Sequence, residues 1–281
     1  MSGFGPHCDI RRNDAHEVSA SASLDGVMWL ELEGAVNIRD VGGIPTGDGG
    51  STTAGRLLRA DNLQNLSPSD VSYLVDTVKL TTVVDLRTLG EITSEGPAPL
   101  TRVASVEHVH HSLVPERAWD TPDALLARRR EEQAQHQGDR TCGAYLGYVE
   151  QRPESIVGAL RAIASAKGPA LVHCAAGKDR TGVVVAFALT VAGALREHIV
   201  ADYAASGERI EAIIKRLSAS RTYAEDVARI PIDGHRPLPE TMAQFLDQID
   251  LRYDGVHCWL DRNGFTASEV ATLRGRLRGQ A

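Results

Sequence analysis

No apolar run in this chain is long enough to cross a bilayer. The most hydrophobic stretch, Val183 to Leu195, falls short of a membrane span and ends in Arg196-Glu197, so it predicts a buried core helix and no stable membrane insertion. Nor is there an excess of positive charge. The 30 Lys and Arg stand against 37 Asp and Glu, and a net charge of −7 argues against a general binder of nucleic acid or anionic membranes. Any site for a negative ligand must be local. Cysteine is scarce, 4 in 281 residues with no two at short spacing, which suits a reducing cytoplasm better than a disulfide framework. The N-terminus, Met1-Ser2-Gly3-Phe4-Gly5-Pro6-His7-Cys8, lacks the apolar core of a cleaved leader. A cytoplasmic location is expected, with leaderless secretion left open. No internal repeat is present.

What is there is a chain that is 42% hydrophobic, long enough to bury one large core. Residues 1 to 25 are polar, small and without periodicity and read as a loose tail, leaving 26–281 as a single domain. Trp29-Leu30-Glu31-Leu32 alternates like a strand, and Gly42 to Gly50 reads as loop. Ser67-Pro68-Ser69-Asp70 caps a helix through Val78. β-branched residues predict a strand from Thr81 to Asp85 and another near Val106 to Val109. Helices are expected around Arg128 to Val149, from Pro153 to Ala166, and from Ser268 onward. The alternation of strand and helix predicts an α/β fold with a central, mainly parallel sheet flanked by helices. After Glu197 the pattern is helical to residue 250, broken at Ile230 to Pro237.

Chemistry concentrates in Cys174-Ala175-Ala176-Gly177-Lys178-Asp179-Arg180-Thr181, between an apolar strand ending in His173 and the apolar run from Gly182. In a tight strand-to-helix turn, the amides from Ala175 to Arg180 can curl around one anion, aided by the helix N-terminus. Arg180 adds a planar fork for two phosphate oxygens. Such a field lowers a cysteine pKa from about 8.5 to roughly 3.5–7.5, which would make Cys174 a thiolate nucleophile without a separate base. Thr181 could donate its hydroxyl to that sulfur, and His173 could orient Cys174 through its backbone. The other cysteines serve as a control. Six residues after Cys8, Cys142 and Cys258 come Asp14, Tyr148 and Gly264, so only Cys174 has the arginine.

His173 through Gly182, HCAAGKDRTG, resembles the phosphate-binding loop of the cysteine-dependent tyrosine phosphatases. The Gly-Lys-Asp-Arg-Thr-Gly version is similar to an atypical bacterial branch with lipid-phosphatase-like loops. Asn37-Ile38-Arg39-Asp40-Val41-Gly42-Gly43 is similar to that branch's N-terminal signature, and Gly55-Arg56-Leu57-Leu58-Arg59 and Val83-Val84-Asp85-Leu86-Arg87 follow in the expected order. The resemblance covers roughly residues 30 to 275. It implies a tyrosine-phosphatase-like fold, phosphotyrosine in proteins as substrate, a helical lid somewhere in 197–250, and Asn37, Arg39 and Asp40 as supports of the loop. An ordinary helical outer layer is the other account of 197–250.

The expected reaction is phosphomonoester hydrolysis through a phosphocysteine, with no metal and no cofactor. Ala175, Ala176, Gly177, Lys178, Asp179 and Arg180 would bind phosphate, and Cys174 would attack it. An aspartate must protonate the leaving oxygen. Asp85 sits at the expected carboxyl end of a strand and Asp179 within the loop; the sequence leaves the choice open. Lys178, a second cation at the rim, would favour substrates with more than one phosphate, so phosphoinositide hydrolysis stands beside phosphoprotein hydrolysis. A rhodanese-type sulfurtransferase and an inactive phosphate-binding module are the remaining alternatives. His108, His110 and His111 suit an exposed strand edge better than a metal site. Arg128-Arg129-Arg130 is followed at once by Glu131-Glu132, the mark of a solvated helix. Gly177-Lys178 is not a nucleotide P-loop, because Asp179 stands where that loop has serine or threonine.

Overall fold

The computed structural model describes residues 27–116 and 139–279. The expected tail and the charged segment around Arg128 lie outside the described residues.

The strands are β1 (Met28–Trp29), β2 (Arg39–Asp40), β3 (Leu57–Ala60), β4 (Thr82–Asp85), β5 (Glu107–His110) and β6 (Ala170–His173). They form one sheet in the order β1-β2-β3-β6-β4-β5, antiparallel across β1, β2 and β3 and parallel from β3 onward. Every residue of β3 and β6 is buried, as central strands covered on both faces require. Side chains alternate between the faces. Leu57, Val84 and Val172 enter the larger core, while Leu58, Val83 and Leu171 enter a smaller one on the opposite face. β5 is the exposed edge that carries His108 and His110. The register brings Ala60, Asp85 and His173 level at the carboxyl ends of β3, β4 and β6. That edge is where open α/β sheets place their sites.

The helices are α1 (Pro68–Ser72), α2 (Leu89–Glu95), α3 (Arg140–Gln151), α4 (Pro153–Ser165), α5 (Asp179–Ala192), α6 (Arg196–Ala205), α7 (Ile210–Ala219), α8 (Ala224–Ala228), α9 (Pro239–Tyr253), α10 (Val256–Arg262) and α11 (Ala267–Leu277). α5 is apolar all round from Val183 to Leu189 and buried throughout that stretch, so it fills the middle of the larger core. It starts at Asp179 and ends on Gly193 in the left-handed conformation at φ 84°.

Two expectations are corrected. The strand over Trp29 to Leu32 is formed at Met28 and Trp29 and its pairing ends with the Leu30 amide on Ile38 O at 3.1 Å, because the amides of Glu33 and Gly34 turn to donate to the Asp70 carboxylate at 3.0 and 2.8 Å. The helix from Ser67 to Val78 is α-helical only to Ser72, then widens into a π turn over Tyr73–Thr77 that leads to Lys79 at φ 62°.

Candidate active site

The turn between β6 and α5 is held by its carbonyls. Ala175 O accepts from the Asn62 amide at 2.9 Å, Ala176 O from Asn37 Nδ2 at 2.9 Å, and Gly177 O from Arg59 NH2 at 2.8 Å. Across a trans peptide the next N–H points opposite to the carbonyl. Three successive carbonyls tied outward therefore turn the amides of Ala176, Gly177 and Lys178 inward. Among the described residues these amides have no backbone or side-chain acceptor, so they are available to an anion. Gly177 is required: its φ is 67°, and a Cβ there would lie 2.4 Å from Ala60 O.

Beneath the loop lies a charged network. Arg39 Nε donates to Asp202 Oδ1 at 2.9 Å, and Arg39 NH1 to Asn37 Oδ1 at 2.7 Å. Arg59 NH1 pairs with Asp202 Oδ2. Both arginines are fully buried. Burial, then the charge of Arg59, lowers Arg39 to about 10, so it stays charged at neutral pH. Two guanidiniums on one carboxylate leave a net positive charge under the anion cup. Asn37 thus bonds the loop directly, and Arg39, buried and not lining the cavity, holds Asn37. Asp40 does neither: its carboxylate accepts from the Gly42 and Gly55 amides and fixes that turn instead.

Cys174 and Arg180 line one cavity of about 550 Å³, together with Ala175, Ala176, Lys178 and Asp179. Cys174 is 2% exposed, at the cavity floor. The Arg180 guanidinium is gripped by Glu91, NH1 to Oε2 at 2.6 Å and NH2 to Oε1 at 2.8 Å. Burial opposes its charge, but Glu91 and Cys174 outweigh burial and hold Arg180 firmly cationic. Glu91 also accepts from the Thr88 amide at 2.7 Å, closing the capping box of α2. Five N–H donors less the two given to Glu91 leave three for a ligand.

His173 Nδ1 lies 3.4 Å from Cys174 O, and its Nε2 lies 3.5 Å from Asp85. Burial lowers its pKa to about 4, so the neutral ring donates to one of these. Thr181 departs from expectation: its buried hydroxyl has no hydrogen-bond partner, so the bond to sulfur is not made.

The two aspartates separate here. Asp85 accepts from Arg87 Nε at 2.9 Å and NH2 at 2.6 Å and from the Arg87 amide at 3.0 Å, and it does not line the cavity. Burial raises its pKa, but His173 and Arg87 together drive it far below the carboxylate range. Its role as the acid is therefore corrected to that of a strut. Asp179 lines the cavity, accepting from Tyr145 Oη at 2.6 Å and from Lys178 Nζ at 2.8 Å on both oxygens. Burial pushes it up, while Lys178 and the Tyr145 bond leave it below its ordinary value. Lys178 is thus committed to Asp179 and is not a free cation on the rim.

The outer wall comes from α7, Arg221 to Val227 and His235. Ile213, Leu217, Tyr223 and Val227 form a small apolar cluster on Ala175. In contrast, Ile199 and Tyr203 of α6 and Phe245 and Ile249 of α9 belong to the main core.

Sequence reasoning missed Glu91, Asp202 and Tyr145. Two of them left a signal. Thr88 and Glu91 have capping-box spacing, and Asp202 sits between Ile199 and Tyr203 on a buried helical face where a carboxylate demands a cation.

The tyrosine phosphatase family model matches residues 30–279. A protein of Cupriavidus necator, provisionally named a tyrosine-protein phosphatase, is 29% identical over 264 residues, covering 92% of each chain. The triple specificity protein phosphatase PtpB of Mycobacterium tuberculosis is 30% identical over 281 residues, 89% of this chain and 99% of its own. The P. aeruginosa protein TpbA, a solved structure, aligns at a TM-score of 0.31 and 14% identity over 77% of this chain and 96% of its own, too distant to bear on the site. With the loop, its supports and a match running almost from end to end, the chain belongs to the tyrosine phosphatase family.

Proposed function

We propose that the protein hydrolyses phosphotyrosine in proteins through a covalent phosphocysteine. The observation that carries this is the anchoring of three consecutive loop carbonyls, which turns their amides toward the cavity shared by Cys174 and Arg180. Those donors and the free N–H groups of Arg180 bind the phosphoryl oxygens and stabilise the charge they carry in the transition state. Cys174 Sγ attacks phosphorus in line, and the bond to the tyrosyl oxygen breaks. Asp179 gives its proton to that oxygen. Water then attacks the thiophosphate, Asp179 takes its proton, and sulfur leaves. Asp179 is the acid because it lines the cavity, whereas Asp85 is locked on Arg87. For Asp179 to hold a proton, Lys178 must let go, and a bound phosphate dianion offers that lysine a competing partner.

Family membership supports this reading over sulfur transfer or a silent module. Phosphoinositides are the competing substrate class, and Lys178 favours them less once it is paired with Asp179. The test is Cys174→Ser in parallel with wild type on phosphotyrosyl peptide, phosphoseryl peptide and phosphoinositide. The serine variant should bind phosphotyrosyl peptide with turnover down at least about 10³-fold. Full activity in that variant would reject the mechanism; wild-type preference for the lipid would reject the substrate.

A further inference from the structure

Two buried tyrosines outside the cavity lining form a hydroxyl chain that ends on Asp179. Tyr145 of α3 and Tyr203 of α6 are 0% and 1% exposed. Tyr145 Oη donates to Asp179 Oδ1 at 2.6 Å and stands 2.8 Å from Tyr203 Oη. Their rings meet edge-on with centroids 6.1 Å apart, and Tyr145 also meets Phe245 edge-on at 5.7 Å. Neither phenol can swing away without opening the core.

The direction of this chain is fixed by donor count. An ionised carboxylate only accepts, so the single Tyr145 proton goes to Asp179 and the Tyr145 oxygen must accept from Tyr203. Oδ1 is thereby occupied from the core side. Lys178 spans both oxygens, so once it turns to a phosphate, Oδ2 is the oxygen left to carry a proton.

We infer that Tyr145, oriented by Tyr203, is the positioning residue of the general acid: it pins Oδ1 of Asp179 so that Oδ2 presents its proton to the leaving oxygen. The inference rests on Asp179 being that acid. Burial, reinforced by the charge of Asp179, holds the Tyr145 phenol well above its ordinary range, so it remains a donor through the cycle and is not itself the acid. The charged and titratable groups facing Asp179 are Lys178 and Arg180 from the loop and Tyr145 from α3, with Tyr203 behind. Asp139 and Arg59 act on Tyr203. Of these, Tyr145 bonds only one carboxylate oxygen and is immobile.

The experiment compares Tyr145→Phe, Tyr203→Phe, Asp179→Asn and the double variant Y145F/D179N, using p-nitrophenyl phosphate and a phosphotyrosyl peptide across pH. Tyr145→Phe removes a donor to the ionised form, so Asp179 should hold its proton to higher pH and the alkaline limb of kcat/KM should move up. Peptide turnover, which needs leaving-group protonation, should fall about ten-fold more than turnover of the activated aryl ester. Tyr203→Phe should act in the same direction and more weakly, and it reads the same chain should the Tyr145 variant fold poorly. In the Asp179→Asn background, Tyr145→Phe should add no further substrate-dependent loss. Equal losses on both substrates with an unmoved limb would overturn the positioning role while the acid stands. If Asp179→Asn itself affects both substrates equally, the acid assignment falls and the positioning role falls with it.

Discussion

One carboxylate carries two duties at the side of the loop. Glu91 closes the cap of α2 and grips both terminal nitrogens of Arg180, so helix entry and the orientation of that guanidinium share one side chain. Glu91→Gln removes the charge and sets an amide N–H against an Arg180 N–H. We expect Arg180 to lose its orientation, with kcat/KM falling roughly 10–100-fold while the urea midpoint reports a loss of only about 1–2 kcal/mol. Wild-type kinetics in that variant would mean the arginine is oriented by the ligand alone. At this scale the sequence was informative wherever chemistry is local. Cys174, Gly177 and Arg180 lie in one turn and announce themselves by spacing. Asp85 and Asp179 do not separate by spacing, because what distinguishes them is a neighbour: Arg87 beside one, and a tyrosine from another helix beside the other. Partners 34 to 163 residues apart in the chain, as for Tyr145 with Asp179 or Arg39 with Asp202, exist only once the chain has folded.

Among the elements, the stretch from α7 to α8 is attached differently from the rest. Its apolar contact with the body is the small cluster around Ala175, and the remaining hold is polar. Ser220 Oγ donates to Glu95 at 2.5 Å, Thr222 Oγ1 to Ser94 at 3.0 Å, and Arg216 pairs with Asp61 and reaches the Asn62 carbonyl at 3.0 Å. Few buried apolar contacts mean low local stability. The double substitution Ser220→Ala with Thr222→Ala should raise amide hydrogen exchange from 220 to 228 and change global stability by no more than about 1–2 kcal/mol. Unchanged exchange there would show that the apolar cluster alone suffices. The helical pattern after Glu197 was legible, but the division of labour within it was not. Periodicity reports that a face is buried, not against what: α6 and α9 spend theirs on the main core, α7 on the loop.

For the molecule as a whole, sheet and layers follow from short β-branched runs, an all-apolar α5 and capping boxes at Ser67, Thr88 and Thr266. The exceptions, the shortened β1 and the π turn, arise where Asp70 captures distant amides or the helix underwinds, neither of which leaves a local pattern. Stability should carry a pH signature from the site. His173 is buried with its pKa lowered to about 4, so between about pH 6.5 and 4 the unfolded chain binds a proton that the fold refuses. Stability contributed by the neutral ring is complete above about pH 6.5 and lost as pH falls toward 4, at most about 3 kcal/mol. Asp85, driven below its ordinary value, adds a further loss at lower pH, beginning near the unfolded carboxylate pKa of about 4. Urea midpoints measured from pH 7 to 4 should fall, and His173→Gln should flatten that slope; a parallel slope in the variant would assign it to other groups.

The outer wall is one uninterrupted length of chain, entered from α6 and left into α9, and both of those helices are rooted in the main core. Only its outer part, residues 221–238, can be recut without touching the carbonyl anchors of the loop, because Ser206 accepts from Asn37 Nδ2 at 3.2 Å and Arg216 holds the Asn62 carbonyl at 3.0 Å. Substitutions confined to residues 221–238 would therefore reshape the mouth of the cavity above Cys174 and leave the floor and its anchors as they are.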